Sequence, residues 1–137
     1  MNAENPSIED IDALVGFLPR FSKASFQPIL RWEGGDDIGD GVFQIPYPIY
    51  DPTVEDFVHL ASQPCWTDIH YRANDMIIRY ALDNRCLISD FSFAEIKTFL
   101  TFFVRGERFC DGHWGKMIVD GYIQEILIRL EILKRSD

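Results

Sequence analysis

Apolar residues recur every three or four positions along most of the chain, which is the spacing of amphipathic helices. The first such stretch runs from Ile8 to Leu18, and Ser7 and Asp10 resemble a capping box in which aspartate replaces the usual glutamate. The pattern predicts an N-terminal helix of about three turns. Pro19 is expected to end it, because proline disrupts a helix interior.

Two further helices are predicted in the middle of the chain. Asp51 is suited to cap a helix that has Pro52 at its first position and an apolar stripe over residues 54–61. A second helical period begins near Asp68 and fades near Asp83.

The C-terminal part of the chain carries the clearest helix start. Ser92 and Glu95 form a regular capping box, and the helix that follows has Gly106 as a candidate terminator. A short helix is predicted between residues 111 and 121. A last amphipathic helix is predicted from residue 123 to the Lys-Arg pair at 134–135, where positive charge suits the helix dipole.

One part of the chain favours β structure instead. Residues 29–32 and 42–45 are short apolar or alternating runs that flank a Gly- and Asp-rich loop at 33–41, and they predict a hairpin. The prolines within residues 45–50 are expected to hold that segment extended. Together the patterns predict a mainly α fold, a single compact domain of residues 1–137 with five or six helices and a minor β-hairpin.

The composition supports a globular protein and excludes several classes. Eleven Phe, five Tyr and three Trp predict a dense aromatic core; the alternative is a partner surface that uses some of the rings. The net charge of −9 argues against nucleic-acid binding, because nucleic-acid-binding proteins gather Lys and Arg against phosphates. No apolar run reaches the roughly 18 residues that a membrane span needs. Three widely spaced cysteines favour reduced thiols, and so a cytoplasmic location.

The charge is distributed unevenly along the sequence. Residues 32–71 contain eight acidic and no basic side chains, whereas residues 97–116 contain four basic and two acidic ones. The two segments could pair within the fold or across a homodimer, or each could be a solvated face.

Chemically capable residues concentrate in residues 104–114. Arg105 and Arg108 lie three positions apart around a glycine, just before a predicted helix start, and could bind an anionic ligand such as a phosphate. Glu107 and Asp111 could instead satisfy both arginines in a structural salt-bridge corner, with Asp111 capping the helix.

The same segment contains candidate catalytic groups. Cys110 and His113 stand three positions apart and could form a nucleophile and its base. This local spacing is a poor signal, since cysteine hydrolases usually bring the histidine from a distant part of the chain. Cys65 and His70 could join them around zinc, but the paired spacing of zinc modules is absent. The sequence therefore predicts no metal and no other cofactor.

The acidic loop at 33–41 superficially resembles a calcium loop. With Asp36 as the first ligand, Ile38 and Tyr47 would fall at the third and twelfth ligand positions, and neither side chain suits them. A solvated acidic loop is the better interpretation.

Residues 104–114, with the segments 92–96 and 117–130 around them, resemble the C-terminal half of a family of small prokaryotic proteins known only as a domain of unknown function. Residues 14–19 and 66–71 are similar to the same family. The resemblance implies one compact intracellular domain and brings no activity, substrate or catalytic residue with it.

The sequence thus leaves open whether the protein is an enzyme. The favoured hypothesis is a non-catalytic interaction or regulatory domain that acts through a protein partner or a homodimer. The alternative is a small enzyme or binding protein for a phosphorylated or nucleotide-like ligand. There Arg105 and Arg108 would hold the anion, Glu107 or His113 would act as acid or base, and Tyr47 or Tyr50 would shape the pocket.

Overall fold

A computed structural model describes residues 5–35, 39, 41–42 and 44–135. Within these residues the chain forms seven α-helices and a two-stranded antiparallel sheet. In chain order the elements are α1 (Ile8–Val15), α2 (Leu18–Phe21), β1 (Ile29–Glu33), β2 (Tyr47–Tyr50), α3 (Pro52–Ala61), α4 (Asp75–Asp83), α5 (Phe93–Gly106), α6 (His113–Val119) and α7 (Tyr122–Arg135), with 3-10 segments at Pro64–Trp66 and Arg85–Asp90. The fold is mainly α, as predicted, with one helix more than expected.

The additional helix is α2, and it arises from Pro19. The capping box at Ser7 is confirmed, since the backbone N–H of Asp10 donates to Ser7 Oγ at 3.1 Å. Helix α1 already ends at Val15, and Pro19 lies in the first turn of α2. Proline is tolerated there because first-turn N–H groups have no acceptor within the helix. Pro19 therefore begins a short helix and does not end a long one.

The hairpin is present, but its second strand lies further along the chain than predicted. Ile29 pairs with Tyr50 and Trp32 pairs with Pro48, so β2 is the proline-containing segment. A two-stranded sheet consists of edge strands, which tolerate proline. Val42 and Ile45, expected in the second strand, are 53% and 75% exposed.

Helix α4 also begins later than predicted, at Asp75 rather than near Asp68. The Asp68 carboxylate accepts hydrogen bonds from the His70 N–H at 2.8 Å and from Asn74 Nδ2 at 3.0 Å. These bonds hold residues 68–74 in successive turns, which explains why Ile69 remains 75% exposed.

Helix α5 forms the centre of the core and packs against α3, α4, α6 and α7. Rings from several elements gather beside it. Phe57 of α3 meets Phe17 and Phe21 at centroid distances of 5.3 and 5.2 Å, and Phe103 of α5 at 5.8 Å. The predicted aromatic core is therefore confirmed. No described helix is both long and apolar enough to cross a bilayer.

Candidate binding surface

The Glu107 carboxylate ties the hairpin to the start of α6. Glu107 directly follows α5, and its Oε1 accepts hydrogen bonds from the Tyr50 hydroxyl at 2.8 Å and from the Trp114 N–H at 2.9 Å. Its Oε2 accepts from the Gly112 N–H at 2.8 Å. Because N–H groups at a helix start lack intrahelical acceptors, Glu107 caps α6 from outside the helix.

Asp111 does not have the capping role that the sequence predicts. The residue before α6 is Gly112, with φ of 91° and no side chain of its own to cap the helix. This left-handed conformation favours glycine and turns the chain so that the N–H groups of α6 point towards Glu107. Asp111 remains exposed in the loop.

Tyr50 is the buried partner of Glu107. Its hydroxyl also accepts a hydrogen bond from the Gly115 N–H at 3.3 Å. Burial raises the pKa of Tyr50 well above its ordinary value, and donation to the Glu107 carboxylate raises it further. Tyr50 is therefore a protonated donor throughout the neutral pH range, and this contact holds the hairpin against α6.

The predicted salt-bridge corner is wrong. Within the described residues, no ion pair joins Arg105 or Arg108 to Glu107 or Asp111. The physical reason is that Glu107 uses both of its oxygens on Tyr50 and on the N–H groups of α6. Arg108 is exposed.

Arg105 instead packs against an aromatic ring. Its guanidinium carbon lies 5.3 Å from the centroid of Tyr71, and that of Arg72 lies 5.9 Å from the same ring. Arg72 is also 5.8 Å from the centroid of Phe109, a ring that is 72% exposed. We call Tyr71, Arg72, Arg105 and Phe109 the arginine-aromatic surface. Both guanidinium groups lie at cation–π distance from the Tyr71 ring. Each guanidinium group also has N–H donors that could bind an anion.

Cys110 and His113 do not form a nucleophile–base pair. Cys110 is exposed, and its thiol lies 3.9 Å from the Asp111 carbonyl oxygen. The His113 ring packs 4.8 Å from Phe102, and its Nε2 is buried without a hydrogen-bond partner in the described structure. Burial lowers the pKa of His113, although the nearby Glu107 carboxylate opposes this shift.

The buried His113 makes stability depend on pH. Because its pKa in the folded protein lies below the ordinary 6.5, the unfolded chain binds the proton more tightly. We therefore expect the free energy of unfolding, measured with urea, to fall as the pH is lowered from about 7.5 to 5. His113→Phe should reduce this slope, whereas His59→Asn, at an exposed position of α3, should not. An unchanged slope in the His113 variant would contradict the assignment.

Two cavities lie away from the arginine-aromatic surface. A cleft of about 850 Å³ between the 3-10 segment Pro64–Trp66 and α5 contains Cys65, His70 and Asp68. Burial alone would raise the pKa of Asp68, but hydrogen bonds, including one from Thr98 at 2.7 Å, lower it below its ordinary value. A groove of about 500 Å³ lies between the hairpin and α6, beside Trp32.

Metal-ligating residues do not converge in the described structure. No group of three His, Cys, Asp or Glu side chains there could hold an ion, and Cys65 and His70 line a cleft that contains neither Cys110 nor His113. Asp36, Asp37 and Asp40 of the acidic loop lie outside the described residues.

Sequence reasoning missed two members of the arginine-aromatic surface, Tyr71 and Arg72. They come from the turns before α4 and reach the end of α5 only in the folded chain. The sequence contained one signal for these two residues, a change in the sign of the charge. Arg72 is the first Lys or Arg after the acidic stretch of residues 32–71, and it directly follows Tyr71.

The fold is thus a mainly helical one with a small antiparallel sheet. The chain belongs to a family of unknown function, DUF6508, whose model matches residues 6–136. Neither a curated protein nor a solved structure matches the chain.

Proposed function

We propose that the protein is a non-catalytic interaction domain that binds an acidic segment of a partner protein through the arginine-aromatic surface. The observation that carries this proposal is that Arg72 and Arg105 lie together on aromatic rings without a carboxylate partner in the described structure. The net charge of −9 makes this arrangement unusual, because carboxylates are abundant. Other arginines do pair with acids, namely Arg20, Arg31, Arg79 and Arg135.

The form of the surface supports a peptide rather than a small molecule. None of its residues lines the cleft beside α5 or the groove beside Trp32, and small ligands usually need a concave site. An extended acidic segment could place carboxylates on both guanidinium groups and an apolar side chain on Phe109. Arg108, exposed and adjacent to Phe109 in the chain, adds positive charge beside the surface.

The surroundings of the candidate catalytic groups also support a binding role rather than catalysis. Glu107 is engaged by three hydrogen bonds, and His113 is enclosed by phenylalanine rings. The free thiols of Cys65, Cys86 and Cys110 fit a reducing compartment such as the cytoplasm.

Fluorescence anisotropy with a labelled peptide of about ten residues, mainly Asp and Glu, tests this proposal. We expect binding that weakens with salt. Arg72→Gln and Arg105→Gln should each weaken binding by roughly 5- to 10-fold, and Arg105→Lys by less, since lysine keeps the charge but lacks the planar guanidinium group. Arg79→Gln is the matched control, an exposed arginine of α4 paired with Asp75.

Two results would contradict the proposal. One is equal binding of a control peptide in which Asn and Gln replace the acids. The other is binding that the Arg72 and Arg105 substitutions leave unchanged. A rise in melting temperature with a nucleotide or phosphorylated metabolite that requires Arg105 would instead support the small-ligand hypothesis.

A further inference from the structure

The solvent-exposed face of the C-terminal helix α7 has two isoleucines at its centre. Ile128 is 43% exposed and Ile132 is 47% exposed, whereas Ile126, Leu127 and Leu130 are fully buried on the opposite side. Residues four positions apart lie above one another on a helix. Ile128 and Ile132 therefore form one apolar ridge, and neither isoleucine belongs to the hydrophobic core of the described residues.

Charged side chains flank this ridge symmetrically. Glu125 precedes Ile128 by three positions, and Arg135 follows Ile132 by three positions. The four residues share one helix face, because their spacings of three, four and three match the helical repeat. The isoleucine pair and the Glu125–Arg135 pair are both centred on residue 130. The face is therefore complementary to the same face of a second copy whose helix runs in the opposite direction.

We propose that two copies of the chain associate through this face, with their α7 helices packed antiparallel about a two-fold axis. Ile128 then meets the partner's Ile132, and Glu125 meets the partner's Arg135. A parallel arrangement would place like charges against each other at both ends. Charge complementarity therefore selects the antiparallel pair.

Arg135 is exposed and available for this contact, and Glu125 is half-buried. Arg135 pairs with Glu131 of its own helix at 3.1 Å, yet its side chain remains 75% exposed. A guanidinium group has five N–H donors and can hold a second carboxylate. The interface differs from the acidic and basic segments, residues 32–71 and 97–116, that suggested a dimer in the sequence. It contains no residue of the arginine-aromatic surface, so a dimer would carry two such surfaces.

Analytical ultracentrifugation of the full chain up to about 1 mM tests the proposal, because a small interface gives a weak dimer. We expect a monomer–dimer equilibrium that Ile128→Glu weakens by at least about 10-fold. Glu125→Arg and Arg135→Glu should each weaken it through like-charge contacts. The double variant should restore association, because the swapped charges again face opposite partners.

A matched control separates this effect from a general change in surface charge. Asp75 and Arg79 form a comparable exposed pair on α4, and swapping them should leave the dimer unchanged. Circular dichroism and thermal melting establish that each variant is folded. A monomer at every concentration would overturn the proposal. So would a dimer that is insensitive to Ile128→Glu, or a charge-swapped double variant as weak as the single ones.

Discussion

Replacing Glu107 with alanine is expected to lower the free energy of unfolding by about 3 kcal/mol, and the melting temperature by roughly 10 °C. The substitution removes the acceptor for the Tyr50 hydroxyl and for the N–H groups of Gly112 and Trp114. These donors are at least partly buried, so water replaces the lost bonds incompletely. Urea unfolding at neutral pH measures the effect.

Two further variants separate the contributions of the individual hydrogen bonds to this loss of stability. Tyr50→Phe removes only the hydroxyl and should cost about 1 kcal/mol. Combined with Glu107→Ala it should cost less than the sum of the two, because both substitutions break the same hydrogen bond. Glu95→Ala is the matched control, since Glu95 accepts one exposed N–H, that of Ser92, at 2.9 Å. If Glu107→Ala costs no more than Glu95→Ala, Glu107 does not tie the hairpin to α6.

The helix starts that the sequence predicted well depend on residues close together in the chain. Ser7, Asp51 and Ser92 each accept a hydrogen bond from an N–H two or three positions later. Such contacts can be inferred from a short window of sequence. The position of β2 could not be inferred in this way. It depends on Tyr50, whose ring lies 5.1 Å from that of Trp114 and whose hydroxyl contacts Glu107.

The candidate site shows the same limit. Residues 104–114 were identified because arginine, glutamate, cysteine and histidine are concentrated there. Their partners were not, because Tyr71 and Tyr50 come from distant elements. The pairing of Glu107 with local arginines looked favourable in sequence. In the folded chain Glu107 instead accepts hydrogen bonds from the distant Tyr50 hydroxyl and from the nearby N–H groups of Gly112 and Trp114. Those N–H groups at the start of α6 would otherwise lack an acceptor.

A single added methyl group at Gly106 is expected to destabilise the protein by about 2–3 kcal/mol. Gly106 is the last residue of α5, where alanine would ordinarily be favoured by about 1 kcal/mol. However, a Cβ at this position would overlap the His113 imidazole. The ring has little freedom to move, because Phe102 lies 4.8 Å from it and Phe103 lies 6.5 Å from it. Thermal or urea unfolding of Gly106→Ala gives the measurement.

Gly16→Ala provides the comparison, because Gly16 follows α1 in a right-handed conformation with φ of −57°. Its added Cβ would approach only backbone carbonyl oxygens of its own helix, the nearer at 3.3 Å, so stability should stay constant or rise by about 0.5 kcal/mol. In a His113→Ala background the cost of Gly106→Ala should largely disappear, since the overlapping ring is gone. A Gly106→Ala protein as stable as the parent would mean that His113 can leave its place between the rings. The imidazole could then reach solvent, and the assignment of His113 as a buried group with a lowered pKa would be wrong.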